Sequence, residues 1–150
     1  MDNYEREAAS LGLQRFVKAQ EPLYNTVLKE LQNGDKRTHW MWFIFPQIDG
    51  LGTSPTAMLY AIKDMEEAIA YAAHPVLGAR LLECSLIVAG LNGKSAHDIF
   101  GFPDEAKLQS CITLFSIVSP TVTVFAEVLS KYFNNEKDQR TIKILHGYRS

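Results

Sequence analysis

The sequence has little cysteine, with Cys84 and Cys111 as its two thiols among 150 residues. They lie far apart, outside any Cys-x-x-Cys pair, and each falls on an apolar stripe with helical spacing. We therefore expect both to be small core residues in a reducing compartment. The four histidines form no pair with metal-ligand spacing, such as His-x-x-x-His. We expect neither a metal ion nor another cofactor.

A marked excess of charge is also missing, since 15 Lys and Arg face 17 Asp and Glu for a net charge of -2. Proteins that coat nucleic acids or membrane surfaces usually carry a basic excess or stripe, so we expect neither partner. No apolar run approaches the ~20 residues that span a bilayer. Residues 1–7 are polar and lack the apolar stretch of a signal peptide, which leads us to expect a cytoplasmic location. No pattern identifies a protein partner.

The composition, 47% hydrophobic and 21% charged, is typical of a globular protein. Hydrophobic residues recur with the period of a helix. Apolar side chains recur at i, i+3, i+4 and i+7 along several segments, and one stripe, from Leu77 to Leu91, extends for about four turns. No repeat or linker divides the chain. These patterns predict an all-α fold in a single compact multihelical domain, residues 1–150, with central buried helices.

Start and stop signals agree with this periodicity. Ser54 and Ser119 each precede a proline, as an N-cap does, and Ser95 with Asp98 resembles a capping box. Glycines mark several helix ends. The predicted helices lie near 12–20, 22–32, 55–62, 65–73, 76–91, 96–100, 104–116, 120–133 and 139–146.

Two segments are ambiguous. Residues 39–45 are apolar except for His39, which suits a buried helix or a central strand equally well, and residues 122–125 include β-branched side chains that suit a strand. We predict helices for both, because an isolated strand pair would leave backbone edges unpaired. In the first helix Thr38 would be the natural cap.

The segment around the two tryptophans is the best candidate for a site. Lys36 and Arg37 precede a possible helix start, where free N–H groups and the helix dipole favour an anion. Trp40 or Trp42 could stack on a planar ring, and His39 could exchange a proton near neutral pH. The alternative is that the two cations are solvated turn residues and both tryptophans are core.

Other polar residues extend this hypothesis. Gln47 follows the apolar run, and Ser54 ends a Gly-rich loop, so both could orient a bound ligand, although Ser54 could equally be an N-cap in a simple turn. Lys107 and Ser110 lie one turn apart, off the apolar stripe of their helix. They could form a donor pair for an anion or a solvated surface.

The motifs resemble those of the domain of unknown function 1810 family. The resemblance covers about residues 13–146 and rests on residues 36–47, Gly50-Leu51-Gly52 with Ser54, residues 74–78 with Arg80, residues 98–101, Pro103-Asp104, and Lys107-Leu108 with residues 113–115. It implies a compact all-helical domain, and no reaction. Some members carry the label calpastatin, which these residues do not support.

This sequence departs from the family's pattern at two places. Glu105 replaces a second Asp after Pro103-Asp104, and Asn135-Glu136-Lys137-Asp138 replaces a Gly-Glu-Pro-Asp turn. We expect Asp138 to cap the last helix.

Three functional interpretations remain open. In the first, the segment around the tryptophans binds or processes a nucleotide-like or phosphorylated small molecule, with His39 as the acid/base candidate. In the second, the chain is a non-catalytic protein-interaction module. In the third, the aromatic run is packing alone.

Overall fold

The computed structural model describes the backbone of residues 3–147 and the side chains of residues 12–147. That part of the chain forms ten helices: α1 (Asn3–Gln20), α2 (Tyr24–Gln32), α3 (Met41–Ile44), α4 (Pro55–Leu59), α5 (Met65–Ala73), α6 (Leu77–Gly90), α7 (Ala96–Phe100), α8 (Asp104–Val118), α9 (Thr123–Phe133) and α10 (Gln139–Gly147). The predicted all-α class is confirmed. Extended pairing in the described part is limited to a parallel bridge between Ile48 and Ile62.

Most predicted caps are in place. The Ser54 hydroxyl accepts a hydrogen bond from the Ala57 amide, with Pro55 in the first turn of α4. Ser95 and Asp98 form the reciprocal bonds of a capping box at α7. At α10, the Asp138 carboxylate accepts from the Thr141 amide at 3.3 Å and from the Thr141 hydroxyl at 2.6 Å, so the predicted capping role of Asp138 is confirmed.

Two predicted helix starts are wrong. Ser119 does not start α9, because its own amide donates to Phe115 and ends α8, and the next helix begins only at Thr123. Thr38 does not cap α3, which begins at Met41, because the Thr38 hydroxyl donates to the buried carboxylate of Glu30 instead. At Thr38, the hydroxyl that the local pattern assigned to the cap is thus bonded to a side chain of the preceding helix.

Helix α8 lies at the centre of the packing, in contact with α5, α7, α9 and α10. Its buried side chains include Cys111, and Cys84 on α6 is buried as well; both thiols are free, which confirms that the two cysteines are core residues. Burial raises the pKa of Cys84 to about 12, so this thiol stays protonated.

Within residues 3–147, no single helix has the length and apolar character that crossing a membrane requires. Helices α5 and α6 together meet those criteria only across a bend of 81°.

Candidate functional site

The loop between α2 and α3 is organised around the carboxylate of Glu30. This carboxylate accepts hydrogen bonds from the Arg37 amide at 2.8 Å, the Thr38 amide at 3.0 Å, the Thr38 hydroxyl at 2.7 Å and the Trp40 indole at 3.0 Å. Burial opposes ionisation of Glu30, but these donors outweigh it and lower its pKa to about 2. An ionised side chain therefore fixes the loop that carries the predicted cations.

The Lys36 ammonium has three close partners. Its ammonium lies 2.8 Å from the Asp104 carboxylate, donates to the Thr38 carbonyl at 2.7 Å and lies 4.9 Å from the centre of a Trp40 ring. Only 6% of the side chain is exposed. The contact with Asp104 joins the loop to the first residue of α8.

Lys107, one turn into α8, has looser partners. Its ammonium is 3.6 Å from the other oxygen of Asp104 and 5.2 Å from the centre of a Trp42 ring. Asp104 therefore lies between two lysines, and the three side chains together carry one positive charge in excess.

These side chains border a cleft of about 420 Å³. Its lining combines cationic, aromatic and apolar side chains: Lys36, Arg37, His39, Met41, Trp42, Phe100, Phe102, Pro103, Asp104 and Lys107. A volume of this size is within the range of small-molecule sites, ~300–1,000 Å³. Phe102 lines the cleft although 82% of it is exposed.

Four of the predicted site residues, Lys36, Arg37, His39 and Trp42, meet at this cleft. His39 is exposed, unlike the buried apolar residues that follow it. The Arg37 side chain is 79% exposed and pairs with Asp35 at 2.8 Å. Arg37 therefore lies at the rim rather than deep in the cleft.

The other three predicted residues lie elsewhere. Trp40 is fully buried and has no free face for stacking on a ligand. Gln47 borders a separate hollow of about 10 Å³ beside Trp42 and Tyr60, which has room for no more than a water molecule. Ser54 is occupied as the N-cap of α4.

The structure adds cleft residues that sequence reasoning missed. Asp104 and Phe102 were not singled out as site residues, and Lys107 was paired with Ser110. The buried Ser110 hydroxyl instead donates to the Ala106 carbonyl at 3.1 Å and the Asp138 carboxylate at 2.9 Å. For Asp104 and Lys107 the sequence offered a signal, because both belong to the family motifs Pro103-Asp104 and Lys107-Leu108. Phe102 lies outside the motif positions that carry the family resemblance.

No group of three or more His, Cys, Asp or Glu side chains suited to a metal ion occurs among the residues that the structure describes. The side chains that line the cleft offer ammonium, guanidinium, imidazole, carboxylate and aromatic groups.

A model of the family described as protein of unknown function (DUF1810) matches residues 10–145. The chain belongs to this family. One similar solved structure is the crystal structure of the conserved hypothetical protein Rv1873 from Mycobacterium tuberculosis, with 48% sequence identity and a TM-score of 0.88. The similarity covers 89% of this chain and 96% of that one. No curated protein matches. The resemblance seen in the sequence is confirmed, and nothing supports the calpastatin label for this DUF1810 protein.

Proposed function

We propose that the cleft between the α2–α3 loop and the start of α8 binds an anionic small molecule, nucleotide-like or phosphorylated. The observation that carries the proposal is the excess positive charge of Lys36, Asp104 and Lys107 at the wall of a 420 Å³ cleft. A cation at the wall of a cleft, where the surrounding protein lowers the local dielectric constant, attracts an anion more strongly than one in open water does.

Lys107 is the better candidate for the anion contact. The Lys36 ammonium has a close carboxylate, a carbonyl and an aromatic ring as partners, so a ligand would have to displace one of them. The Lys107 ammonium is partly exposed, and its 3.6 Å distance to Asp104 exceeds that of a strong charged hydrogen bond, ~2.7–2.9 Å. Lys107 can therefore donate to a ligand without losing an existing close bond.

His39 and Arg37 complete the polar part of the lining. An imidazole at the cleft can donate or accept a proton from a bound ligand, which keeps His39 as the acid/base candidate. Arg37 at the rim can assist in attracting the anion. Gln47 and Ser54 have no place in this proposal, because neither lines the cleft.

Titration calorimetry with inorganic phosphate, ribose 5-phosphate and AMP tests the proposal, with Lys107→Met as the variant. The matched control is Lys131→Met, since Lys131 also lies over an aromatic ring, 5.9 Å from that of Tyr132, but does not line the cleft. We expect Lys107→Met to weaken binding roughly 10- to 100-fold, as for loss of a charged hydrogen bond. If none of the three probes binds the unaltered protein, or both variants bind equally well, the proposal is wrong.

The alternative is a non-catalytic protein-interaction module, and the support for it comes from exposed apolar side chains. Leu82 and Leu86, one turn apart on α6, are 39% and 52% exposed, and Met58 on α4 is 61% exposed. Scattered exposed apolar residues are common on protein surfaces, so they support this alternative less than the cleft supports ligand binding.

A cytoplasmic location also stays a prediction. The free thiols of Cys84 and Cys111 are consistent with it.

A further inference from the structure

We infer that Phe102 is a stacking surface for a planar ring, and that the ligand class of the cleft is therefore a nucleoside phosphate rather than a simple sugar phosphate. This inference rests on the proposed function and adds to it a second contact, chemically different from the anion contact. Three observations carry it: the exposure of Phe102, the way its backbone is held, and its position relative to Asp104 and Lys107.

Phe102 is exposed where its neighbour is not. Its exposed fraction is 82%, the largest among the exposed large hydrophobic side chains of the described residues, whereas Phe100 is 7% exposed and packs edge-on against Phe45, with ring centres 6.1 Å apart. A phenylalanine left in water gives up the free energy that burial would provide. An aromatic ring in this position at a cleft is well suited to stack on a ligand.

The backbone on both sides of Phe102 is fixed. Gly101 ends α7 with a positive φ of 71°, and its amide donates to the His97 carbonyl at 2.8 Å. Pro103 follows Phe102, and α8 begins at Asp104. The Glu105 amide donates back to the Gly101 carbonyl at 2.9 Å. Phe102 thus lies on a three-residue connection whose ends are hydrogen-bonded, so a ring that stacks on it orders little additional chain.

The two indole rings are less available than the Phe102 ring. Trp40 is fully buried, and the Lys107 ammonium lies over a ring of Trp42. Phe102 is therefore the aromatic side chain of the lining with the most free surface.

The order of groups along this segment fits the parts of a nucleotide. Phe102 presents an aromatic surface. Lys107 presents an ammonium one turn after Asp104, and this ammonium lies 3.6 Å from one carboxylate oxygen of Asp104. That oxygen can accept a hydrogen bond from a sugar hydroxyl, the ammonium can donate to a phosphate, and the ring can stack on a base. A sugar phosphate has no planar ring to stack on Phe102.

Titration calorimetry of AMP, GMP, CMP and UMP against ribose 5-phosphate tests the inference in the unaltered protein, Phe102→Ala and Phe102→Trp. The control is Met58→Ala, which removes an exposed apolar side chain outside the cleft. At least one nucleotide should bind roughly tenfold more tightly than ribose 5-phosphate, as base stacking implies. Phe102→Ala should remove that advantage without weakening ribose 5-phosphate, and Phe102→Trp should keep it.

The outcomes separate the two proposals. If ribose 5-phosphate binds as tightly as all four nucleotides, the ring contact is wrong and the anion site stands. If a nucleotide keeps its advantage in Phe102→Ala, the stacking surface is not Phe102. If no phosphate compound binds, the proposed function fails and this inference fails with it. Because Phe102 is mostly exposed, Phe102→Ala should move the thermal midpoint of the free protein by no more than about 2 °C, so loss of folding does not mimic the result.

Discussion

The ammonium of Lys36 and the carboxylate of Asp104 form a 2.8 Å ion pair between the loop after α2 and the first residue of α8. Their side chains are only 6% and 18% exposed, so each charge is compensated mainly by its partner rather than by water. This pair closes one wall of the cleft, and of the two lysines there it leaves Lys107 as the one without a close carboxylate contact.

Removing one partner of this pair should destabilise the protein strongly. Asp104→Asn leaves the Lys36 ammonium buried without its close carboxylate, and we expect a loss of about 3 kcal/mol in the free energy of unfolding. For a chain of this length the thermal midpoint should fall by about 6–12 °C. Scanning calorimetry measures the change.

The matched control is Arg37→Met, which breaks the exposed pair with Asp35 in the same loop. We expect no measurable change in the thermal midpoint, because exposed ion pairs contribute little. Equal effects of the two substitutions would show that the Lys36–Asp104 pair contributes no more than a surface contact.

Glu30 should make the stability of the protein depend on acid pH. Its pKa is lowered from 4.5 to about 2, so its contribution is complete above pH 4.5 and is lost as the pH falls toward 2. The difference corresponds to about 3 kcal/mol. Urea unfolding at pH 7, 5 and 3 should therefore show a steeper loss for the unaltered protein than for Glu30→Gln, which should also be less stable at pH 7. Parallel pH profiles of the two proteins would contradict the role of Glu30.

The two tryptophans should respond differently to truncation. Trp40 is fully buried, so Trp40→Ala should cost about 3–5 kcal/mol through the cavity that it leaves. Trp42 is half-buried at the cleft, so Trp42→Ala should cost about 1–2 kcal/mol. Urea unfolding followed by circular dichroism compares them without relying on indole fluorescence. The reverse order of the two costs would refute this assignment of core and cleft residues.

Close packing of α5 on α6 should make Gly78 intolerant of a side chain. A Cβ at Gly78 would lie 2.2 Å from the Ala72 carbonyl oxygen, which is backbone and cannot move alone. We expect Gly78→Ala to destabilise the protein by about 3 kcal/mol. Gly90→Ala is the control, because nothing lies within 4 Å of its Cβ position, and it should stabilise by about 0.5 kcal/mol. Thermal unfolding should separate the two variants, and similar midpoints would argue against the close approach.

Local sequence determined most of the helices. Apolar periodicity and side-chain caps act within a few residues, so the helix from Ala96 to Phe100, with its Ser95 and Asp98 box, could be predicted closely. The predictions that depended on a more distant partner were less accurate. Thr38 was expected to cap α3, but the carboxylate of Glu30 in α2 takes its hydroxyl.

Some of the residues that line the cleft could also be predicted from the sequence. Lys36, Arg37, His39 and Trp42 lie within one short segment, and cations beside an aromatic run are recognisable without coordinates. The sequence left open whether Trp40 or Trp42 could stack on a ligand or whether both tryptophans were core.

Tertiary structure decided which tryptophan lines the cleft and which other side chains complete it. The indole of Trp40 turns inward because the buried carboxylate of Glu30 accepts its N–H, which leaves Trp42 at the surface of the cleft. Phe102, Asp104 and Lys107 lie some sixty residues further along the chain and reach Trp42 only because α7 and α8 pack beside the loop. Short-range periodicity carries no information about contacts between distant segments. Those contacts depend on the burial of side chains from several segments in one core.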